Sequence, residues 1–325
     1  MRIKIAGIWA LFLLANPGFA QDPHFSNLLS TLSFLNPSSV IAVQNPQLSA
    51  TYRNQWPAMN SAYVTYCAAF TQPVETMNSV FGVSLIHDNQ AHGTVVQTSL
   101  AGVYAYSVQV SDLIRLAGGL ELSYVFQDVN ENRLIFESDI TGNSSGSDPI
   151  DYDGYKSGYG DFSLGITMNY DDRYYSGIAV HHITQPVRHD GEPELLSLSR
   201  RYALHLHGKF DLFQDYRSKD IVLVPGIQFQ QQKNYQELIY GTNCEMNPFV
   251  FGLWARQDLR FNFDAVILLA GFSWQGYNFY YTYDVNMKNI RFFSTGMGAH
   301  EVTFLYHFQY NGKRKNRGAV KCPRI

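Results

Sequence analysis

The sequence predicts an all-β fold, a transmembrane antiparallel β-barrel of about fourteen strands with short periplasmic turns and long extracellular loops. Three observations predict it: a leader-type N-terminus, repeated period-two alternation of apolar and polar residues, and connections whose lengths alternate along the chain. Together they describe a chain that is exported and crosses a membrane with strands.

The N-terminus has the three parts of a secretory signal peptide. Arg2 and Lys4 precede an apolar run over 5–15, and small residues surround Ala20 where a signal peptidase cleaves. We expect residues 1–20 to be removed. Beyond them no stretch approaches the roughly 20 consecutive apolar residues of a transmembrane helix, which argues against a helical membrane protein.

Composition narrows the class further. Charged residues make up 16% of the 325 residues, Tyr and Phe number 22 each, and the formal net charge is −3. The charge and the lack of a basic stripe in the body of the chain argue against nucleic-acid binding. The aromatic content suits an apolar outer surface, although a large secreted sandwich has a similar composition.

Period-two alternation is clearest near the C-terminus, where Val302, Phe304 and Tyr306 alternate with Glu301, Thr303 and Leu305. Such runs are about ten residues long, with aromatic ends and several polar groups on the second face, which favours a barrel over a soluble sandwich. The predicted strands are 47–54, 59–70, 78–87, 94–106, 113–127, 159–170, 173–182, 200–212, 219–230, 235–245, 247–256, 261–273, 276–285 and 300–310.

Loop lengths give the predicted orientation. The long connections 128–158, 183–199 and 286–299 all fall at one end of the barrel, whereas the turn at Asp171-Asp172 is tight. Long loops are extracellular in such barrels, so we expect both termini in the periplasm.

These boundaries divide the mature chain into parts. We expect residues 21–46 to form an N-terminal periplasmic segment, 47–310 the transmembrane barrel and 311–325 a periplasmic tail. The tail is strongly basic and either binds an acidic partner or is simply solvated.

Motifs for chemistry are weak. His300-Glu301 lacks the second histidine of a metalloprotease helix, and no Gly-x-Ser-x-Gly elbow indicates a lipase. His181 and His182 are expected to point to opposite faces of a strand. His205 and His207 share a face, which suits lumen-facing polar residues or, less well, part of a metal site. We expect no catalytic residues, cofactor or metal.

Two further groups stay open. Cys67, Cys244 and Cys322 lie far apart, which allows one disulfide but no disulfide framework. The acidic loop 148–154 has the charge to hold calcium, but its spacing matches no full calcium loop, so a solvated loop is the default.

Particular motifs then resemble those of the PorP/SprF family, over nearly the whole mature chain and in the family's order. They are Gln21-Asp22-Pro23-x-Phe25-Ser26, Tyr52-Arg53-Asn54-Gln55-Trp56-Pro57, Asp161-Phe162-x-x-Gly165, Tyr175-x-Gly177, His182-Ile183-Thr184-Gln185-Pro186, Gly252-Leu253-Trp254-x-Arg256, Tyr281-x-Tyr283-Asp284, Gly298-Ala299-His300-Glu301 and Cys322-Pro323-Arg324.

The resemblance implies a non-catalytic outer-membrane protein tied to type IX secretion or gliding, which acts as a scaffold or anchor. Its expected partners are other type IX secretion components, a large exported surface protein such as an adhesin, and outer-membrane lipid. Candidate partner-contact residues are Arg53, Gln55, Trp56, His182, Gln185, Pro186, His300 and Glu301.

The alternative function is an outer-membrane transporter or channel for a small or hydrophobic ligand, because a barrel of this size can enclose a lumen. Its candidate lumen residues are Arg115, Glu121, Lys209 and Asp211.

Overall fold

The computed structural model describes residues 22–27, 32–59, 63–130, 155–187, 197–213, 221–287 and 298–308. The strands in these ranges are β1 Gln47–Gln55, β2 Tyr63–Val74, β3 Ser79–Gln90, β4 Val95–Gln109, β5 Ile114–Val129, β6 Tyr155–Tyr170, β7 Tyr174–His181, β8 Arg201–Gly208, β9 Phe210–Phe213, β10 Ile221–Gln232, β11 Tyr235–Met246, β12 Phe249–Gln257, β13 Phe263–Trp274, β14 Tyr277–Asn286 and β15 Ala299–His307. The short helices are α1 Leu32–Leu35 and the 3₁₀ turns Pro37–Ala42, Pro57–Met59, Glu75–Met77 and Ala91–Gly93.

The strands form one closed antiparallel barrel. Apart from β8 and β9, which do not pair with each other, consecutive strands pair along the chain, and β1 pairs with β15 as well as β2. β8 and β9 both pair with β10 and are interrupted only at Lys209, so they count as one position in the wall. Within the described residues the wall therefore has fourteen positions, which confirms the predicted strand number and the all-β class.

Alternation gives the wall two different faces. In β15, Glu301 and Thr303 are buried, whereas Val302 between them is 45% exposed. The same division in the other strands leaves an outer surface of Leu, Ile, Val, Phe and Tyr and a polar inner face. An apolar outside and polar inside is the arrangement that a barrel needs in lipid. No helix among the described residues is long and apolar enough to cross a membrane.

The two ends of the barrel differ. The connections 130–154, 182–200 and 287–298 leave the wall at one end, which we call the loop end. At the other, the turn end, tight connections follow Tyr170 and Trp274. The two ends are thus set by strand order, whereas the compartment that each faces stays a prediction.

Residues 22–27 and 32–42, which precede β1, pack inside the barrel. The 3₁₀ turn Pro37–Ala42 lies against β3 to β7, and Val40 joins the wall residues Val80, Val103 and Ala105 in a small apolar cluster. Inward-facing wall residues thus supply partners for the described part of the segment 21–46, which has no strand periodicity of its own, and its location in the periplasm stays a prediction. We call residues 22–27 the tip and residues 32–42 the base of this luminal segment.

Candidate functional site in the barrel lumen

Glycines on the inner wall make room for the base. A Cβ atom at Gly119 of β5 would overlap the backbone of Pro37 and Ser38, and one at Gly165 of β6 would overlap the Asn36 side chain. A Cβ at Gly177 of β7 would also meet Asn36. Since glycine weakens a strand interior, such positions commonly mark the close approach of another backbone. Here they form a recess shaped for the base.

Asn36 fixes the base in this recess. Its Oδ1 accepts hydrogen bonds from the backbone N (3.0 Å) and Oγ (2.7 Å) of Ser38, which caps the turn that begins at Pro37. Its Nδ2 donates to the carbonyl oxygens of Ile166 (3.2 Å) and Ile178 (3.3 Å) on the wall. Asn36 is fully buried, so this one amide joins the capping of the turn to its docking.

The carbonyl groups that precede Asn36 also find donors on the wall. His181 Nε2 lies 2.9 Å from the Leu35 carbonyl oxygen, and His181 Nδ1 lies 3.1 Å from Ser163 Oγ. Arg201 Nη2 donates to the carbonyl oxygen of Phe34 at 3.2 Å. Because buried backbone carbonyls need partners, these contacts define where α1 ends within the lumen.

The tip is held by a carboxylate that binds its backbone. Glu301 of β15 accepts hydrogen bonds from the backbone nitrogens of Ser26, at 2.7 Å to Oε2, and Asn27, at 2.8 Å to Oε1. Arg53 of β1 donates to Ser26 Oγ at 2.5 Å and to Glu301 Oε2 at 3.2 Å. Glu301 is fully buried, so its charge is balanced within the protein.

A second set of charges continues from this point. Asp284 of β14 accepts from Ser26 Oγ at 2.8 Å and, at 3.0 Å each, from Nη2 of Arg53 and Nη2 of Arg256. Arg256 of β12 also donates through Nε to Asp264 at 3.1 Å. The tip thus occupies the centre of a buried ion network formed by β1, β12, β13, β14 and β15.

His24 is recognised through both ring nitrogens. Nε2 accepts a hydrogen bond from Nη1 of Arg256 at 2.9 Å, and Nδ1 lies 3.4 Å from Oε1 of Glu237. Burial and the nearby charges of Arg256 and Arg53 hold the pKa of His24 well below its usual value. The imidazole is therefore neutral at pH 7, which leaves Nε2 free to accept.

Asp22 ties the tip to the loop end. His182 bridges two carboxylates, with Nε2 2.7 Å from Oδ2 of Asp22 and Nδ1 2.6 Å from Oδ2 of Asp161, while Arg201 Nε lies 3.4 Å from Asp22 Oδ2. Burial opposes both charges. The opposite charges nevertheless hold the pKa of Asp22 well below its usual value and, with the hydrogen bonds, raise the pKa of His182 to about 9.

The expectation that His181 and His182 point to opposite faces is wrong. His182 follows the last residue of β7 and adopts a left-handed backbone with φ of 57°, so strand alternation ends there. Its ring centroid lies 6.3 Å from that of His181. Both rings therefore contact the luminal segment, one at its tip and one at its base.

Three of the eight candidate partner-contact residues thus bind the chain's own N-terminal segment: Arg53, His182 and Glu301. The others lie around the loop end. Trp56 adopts φ of 57°, donates its backbone N–H to the Gly298 carbonyl at 2.8 Å and packs edge-on against Tyr63.

Gln55 ends β1 beside Trp56, and Gln185 is exposed with φ of 47° next to Pro186. His300 lies 2.7 Å from the hydroxyl of Tyr281 on the outer face, in an aromatic cluster. Contact of these residues with other proteins stays a prediction.

The four residues proposed to line a channel lie at different depths in the barrel. Glu121 lines a small pocket beside the tip. Arg115 lies 3.9 Å from Asp172 and Asp211 lies 3.8 Å from Arg173, both near the turn end, as is Lys209. They do not form one continuous lining.

The structure also places the residues of the possible metal site and disulfide. His205 stacks on His207 and contacts Asn36, and no group of three metal-ligating side chains comes together in the described ranges. Cys67 and Cys244 are free. The leader 1–20, the acidic loop 148–154, Cys322 and the basic tail 311–325 lie outside the described residues.

Sequence reasoning missed Asn36, His24, Arg256 and Asp284 as parts of one site. Arg256 and Asp284 belong to motifs that carry the family resemblance, but nothing in their spacing shows that Asp284 meets Ser26 or that Arg256 meets His24. The available signal was the number of charged residues at inward-facing strand positions, since buried charges require partners.

Comparison with known proteins gives one family. A family model described as "Type IX secretion system membrane protein PorP/SprF" matches residues 18–306. No curated protein matches the chain.

Three solved structures illustrate the similarity. A FadL homologue from Pseudomonas aeruginosa has 11% identity and a TM-score of 0.46, covering 90% of this chain and 95% of its own. The CymD monoaromatic hydrocarbon channel has 11% identity and a TM-score of 0.49, with 90% and 96% covered. The P. putida toluene transporter TodX has 9% identity and a TM-score of 0.44, with 85% and 93% covered. Similarity at this level carries no argument about function.

Proposed function

We propose that this protein, which belongs to the PorP/SprF family of type IX secretion system membrane proteins, is a non-catalytic outer-membrane scaffold. It holds an exported surface protein at the loop end and meets other secretion components at the turn end. Its partners are proteins and outer-membrane lipid, and it needs no cofactor.

The observation that carries this proposal is the luminal segment. The tip contacts residues near the loop end, such as Glu301 and His182, and the base packs between β3 and β7 down to Val80 near the turn end. A lumen crossed by the chain's own residues is poorly suited to free passage of a solute. A barrel filled in this way is well suited to act as a rigid body that binds partners at its two ends.

The loop end offers residues for such contacts. Trp56, Gln55, Gln185 and Pro186 lie there, and Trp56 and Gln185 hold left-handed backbone conformations that cost about 1–2 kcal/mol each. Strained backbone is retained where the surroundings require it, often at binding sites. We propose that these four residues contact the exported protein.

The experiment is affinity purification of a tagged copy from detergent-solubilised outer membranes, followed by mass spectrometry. Recovery of type IX secretion components or one large surface protein is the expected result. Trp56→Ala should reduce recovery of the surface protein, whereas Trp274→Ala, at the turn end, should not. A barrel that purifies alone would contradict the proposal and favour a channel.

The leader and the tail complete the proposal. Cleavage after Ala20 would start the mature chain at Gln21, immediately before the tip. The intact mass of the purified protein tests this cleavage site. The basic tail 311–325 follows β15 at the turn end and is proposed to meet periplasmic components.

A further inference from the structure

We propose that the luminal site around Glu301 is a receptor for a short segment of the exported partner that bends as the tip does, and that the tip occupies this receptor when the partner is absent. This inference rests on the proposed scaffold function, because it assigns that function a binding site within the lumen. It is carried by how the site holds the tip.

The central contact recognises a bend in the backbone at Ser26. Glu301 accepts hydrogen bonds from two successive backbone N–H groups, those of Ser26 and Asn27, which a bend turns to the same side. Any two adjacent residues other than proline can supply such a pair of donors when they adopt the same bend. The carboxylate is therefore suited to bind a polypeptide from another source in the same way.

Side-chain contacts define the chemistry of the segment that fits. Arg53 and Asp284 both contact the Ser26 hydroxyl. Four residues earlier, the carboxylate of Asp22 lies against His182 and Arg201. The site therefore fits a segment with an acidic side chain four residues before a hydroxyl-bearing residue.

The position of the site explains how a partner reaches it. Glu301, Arg53, Asp284 and Arg256 all lie within a few residues of the loop-end limits of their strands. The tip is thus nearest the loop end, whereas the base is held separately by Asn36 and the glycine recess. The tip can leave while the base remains docked.

The tip and a partner segment should bind the site with similar free energies, because the partner segment would replace each contact of the tip with one of the same kind. The tip has the advantage of its covalent tether, which gives an effective concentration on the order of millimolar. A partner already docked at the loop end presents its own segment at a comparable effective concentration. A free peptide lacks this advantage, so it should bind well only when the tip is displaced.

The test uses the full chain in detergent and a fluorescent peptide with the sequence of residues 21–27, followed by fluorescence anisotropy. Asp22→Ala with Ser26→Pro displaces the tip, since the proline removes both the backbone donor and the hydroxyl. We expect this variant to bind the peptide at least about tenfold more tightly than the unmodified chain.

Matched variants identify the site. In the displaced background, Glu301→Gln should weaken peptide binding at least about tenfold, because a neutral amide replaces the charged acceptor. Glu245→Gln, an inward-facing carboxylate near the turn end of β11, should leave binding unchanged. A peptide with proline at the Ser26 position should not bind to any of these proteins. Because this change is made in the peptide and not in the wall, the test stays valid if a wall variant folds poorly.

Absence of peptide binding to the displaced variant, or binding that the proline peptide and Glu301→Gln do not reduce, would overturn the inference. The outcome is separate from that of the scaffold proposal. If the displaced variant recovers an exported protein in amounts unaffected by Glu301→Gln, the luminal receptor is excluded and the scaffold proposal stands. Peptide binding without any recovered partner would support the luminal site and contradict the scaffold.

Discussion

The carboxylate of Glu301 accepts a hydrogen bond from the backbone nitrogen of Ser26, 275 positions earlier in the chain, at 2.7 Å. This contact joins the last strand of the barrel to the first residues that the structure describes. Because Arg53 touches both residues, the contact is also part of a buried ion pair. It is the centre of the luminal site.

Glu301→Gln should release the tip while leaving the barrel folded. A glutamine side chain has one acceptor oxygen, so its NH₂ group would face either a backbone N–H group or Arg53. Loss of a charged hydrogen bond costs about 1.5–3 kcal/mol, which corresponds to a shift on the order of 10- to 100-fold toward the undocked tip.

The measurement is the rate of maleimide labelling of Pro23→Cys in a chain whose native cysteines are replaced by serine. Labelling should be slow with Glu301 present and faster by about the same factor in the variant. Glu245→Gln is the control, and equal labelling rates in all three proteins would contradict the role of Glu301.

Filling the glycine recess should lower the stability of the protein. Gly119→Ala would place a Cβ against the backbone of Pro37 and Ser38 and should destabilise the protein by about 1–3 kcal/mol through overpacking. Gly118→Ala is the matched control, because a Cβ at Gly118 meets nothing within 4 Å. The temperature at which the folded band is lost in heated gel samples should fall for the first variant only, and an equal fall for both would refute the recess.

Docking of the tip should also depend on pH through His182. Its folded pKa of about 9 lies above the ordinary value of 6.5, so its contribution is fully present below pH 6.5 and is lost as the pH rises through 9. Asp22 has a lowered pKa, so its contribution is present above its ordinary value of 3.8 and is lost at lower pH.

A spin label on Pro23→Cys reports this dependence by electron paramagnetic resonance. The mobile fraction should increase between pH 7 and 10 in the protein that keeps His182. His182→Gln should remove most of the increase, because glutamine does not titrate. An increase of the same size in both proteins would show that another group controls the tip.

The wall of the barrel could be predicted from sequence because its signal is local. Alternation such as that of Glu301, Val302 and Thr303 reports which face a residue occupies, and every predicted strand overlaps an observed one. The interruption at Lys209 was not visible, since β8 and β9 share one alternating run. Alternation with a period of two residues therefore predicts the strands and the face that each residue occupies, but not a short interruption within a strand.

The luminal segment could not be predicted in the same way. Residues 22–42 have no strand or long helical period, and their partners lie far away in sequence, as Asn36 does from His205. Arg53, His182 and Glu301 were identified as contact residues, but the sequence gives no means of telling a contact within the chain from one with another protein. Only the closed barrel brings these residues to the tip.

The luminal segment is expected to close the lumen of the barrel. The most direct test is the conductance of the purified protein in planar lipid bilayers, for the full chain and for a deletion of residues 22–42, with a deletion of the tail 311–325 as the matched truncation. We expect low conductance for the full chain and the tail deletion, and a stable open pore when residues 22–42 are removed. A large, stable conductance of the full chain that the deletion does not change would contradict this expectation.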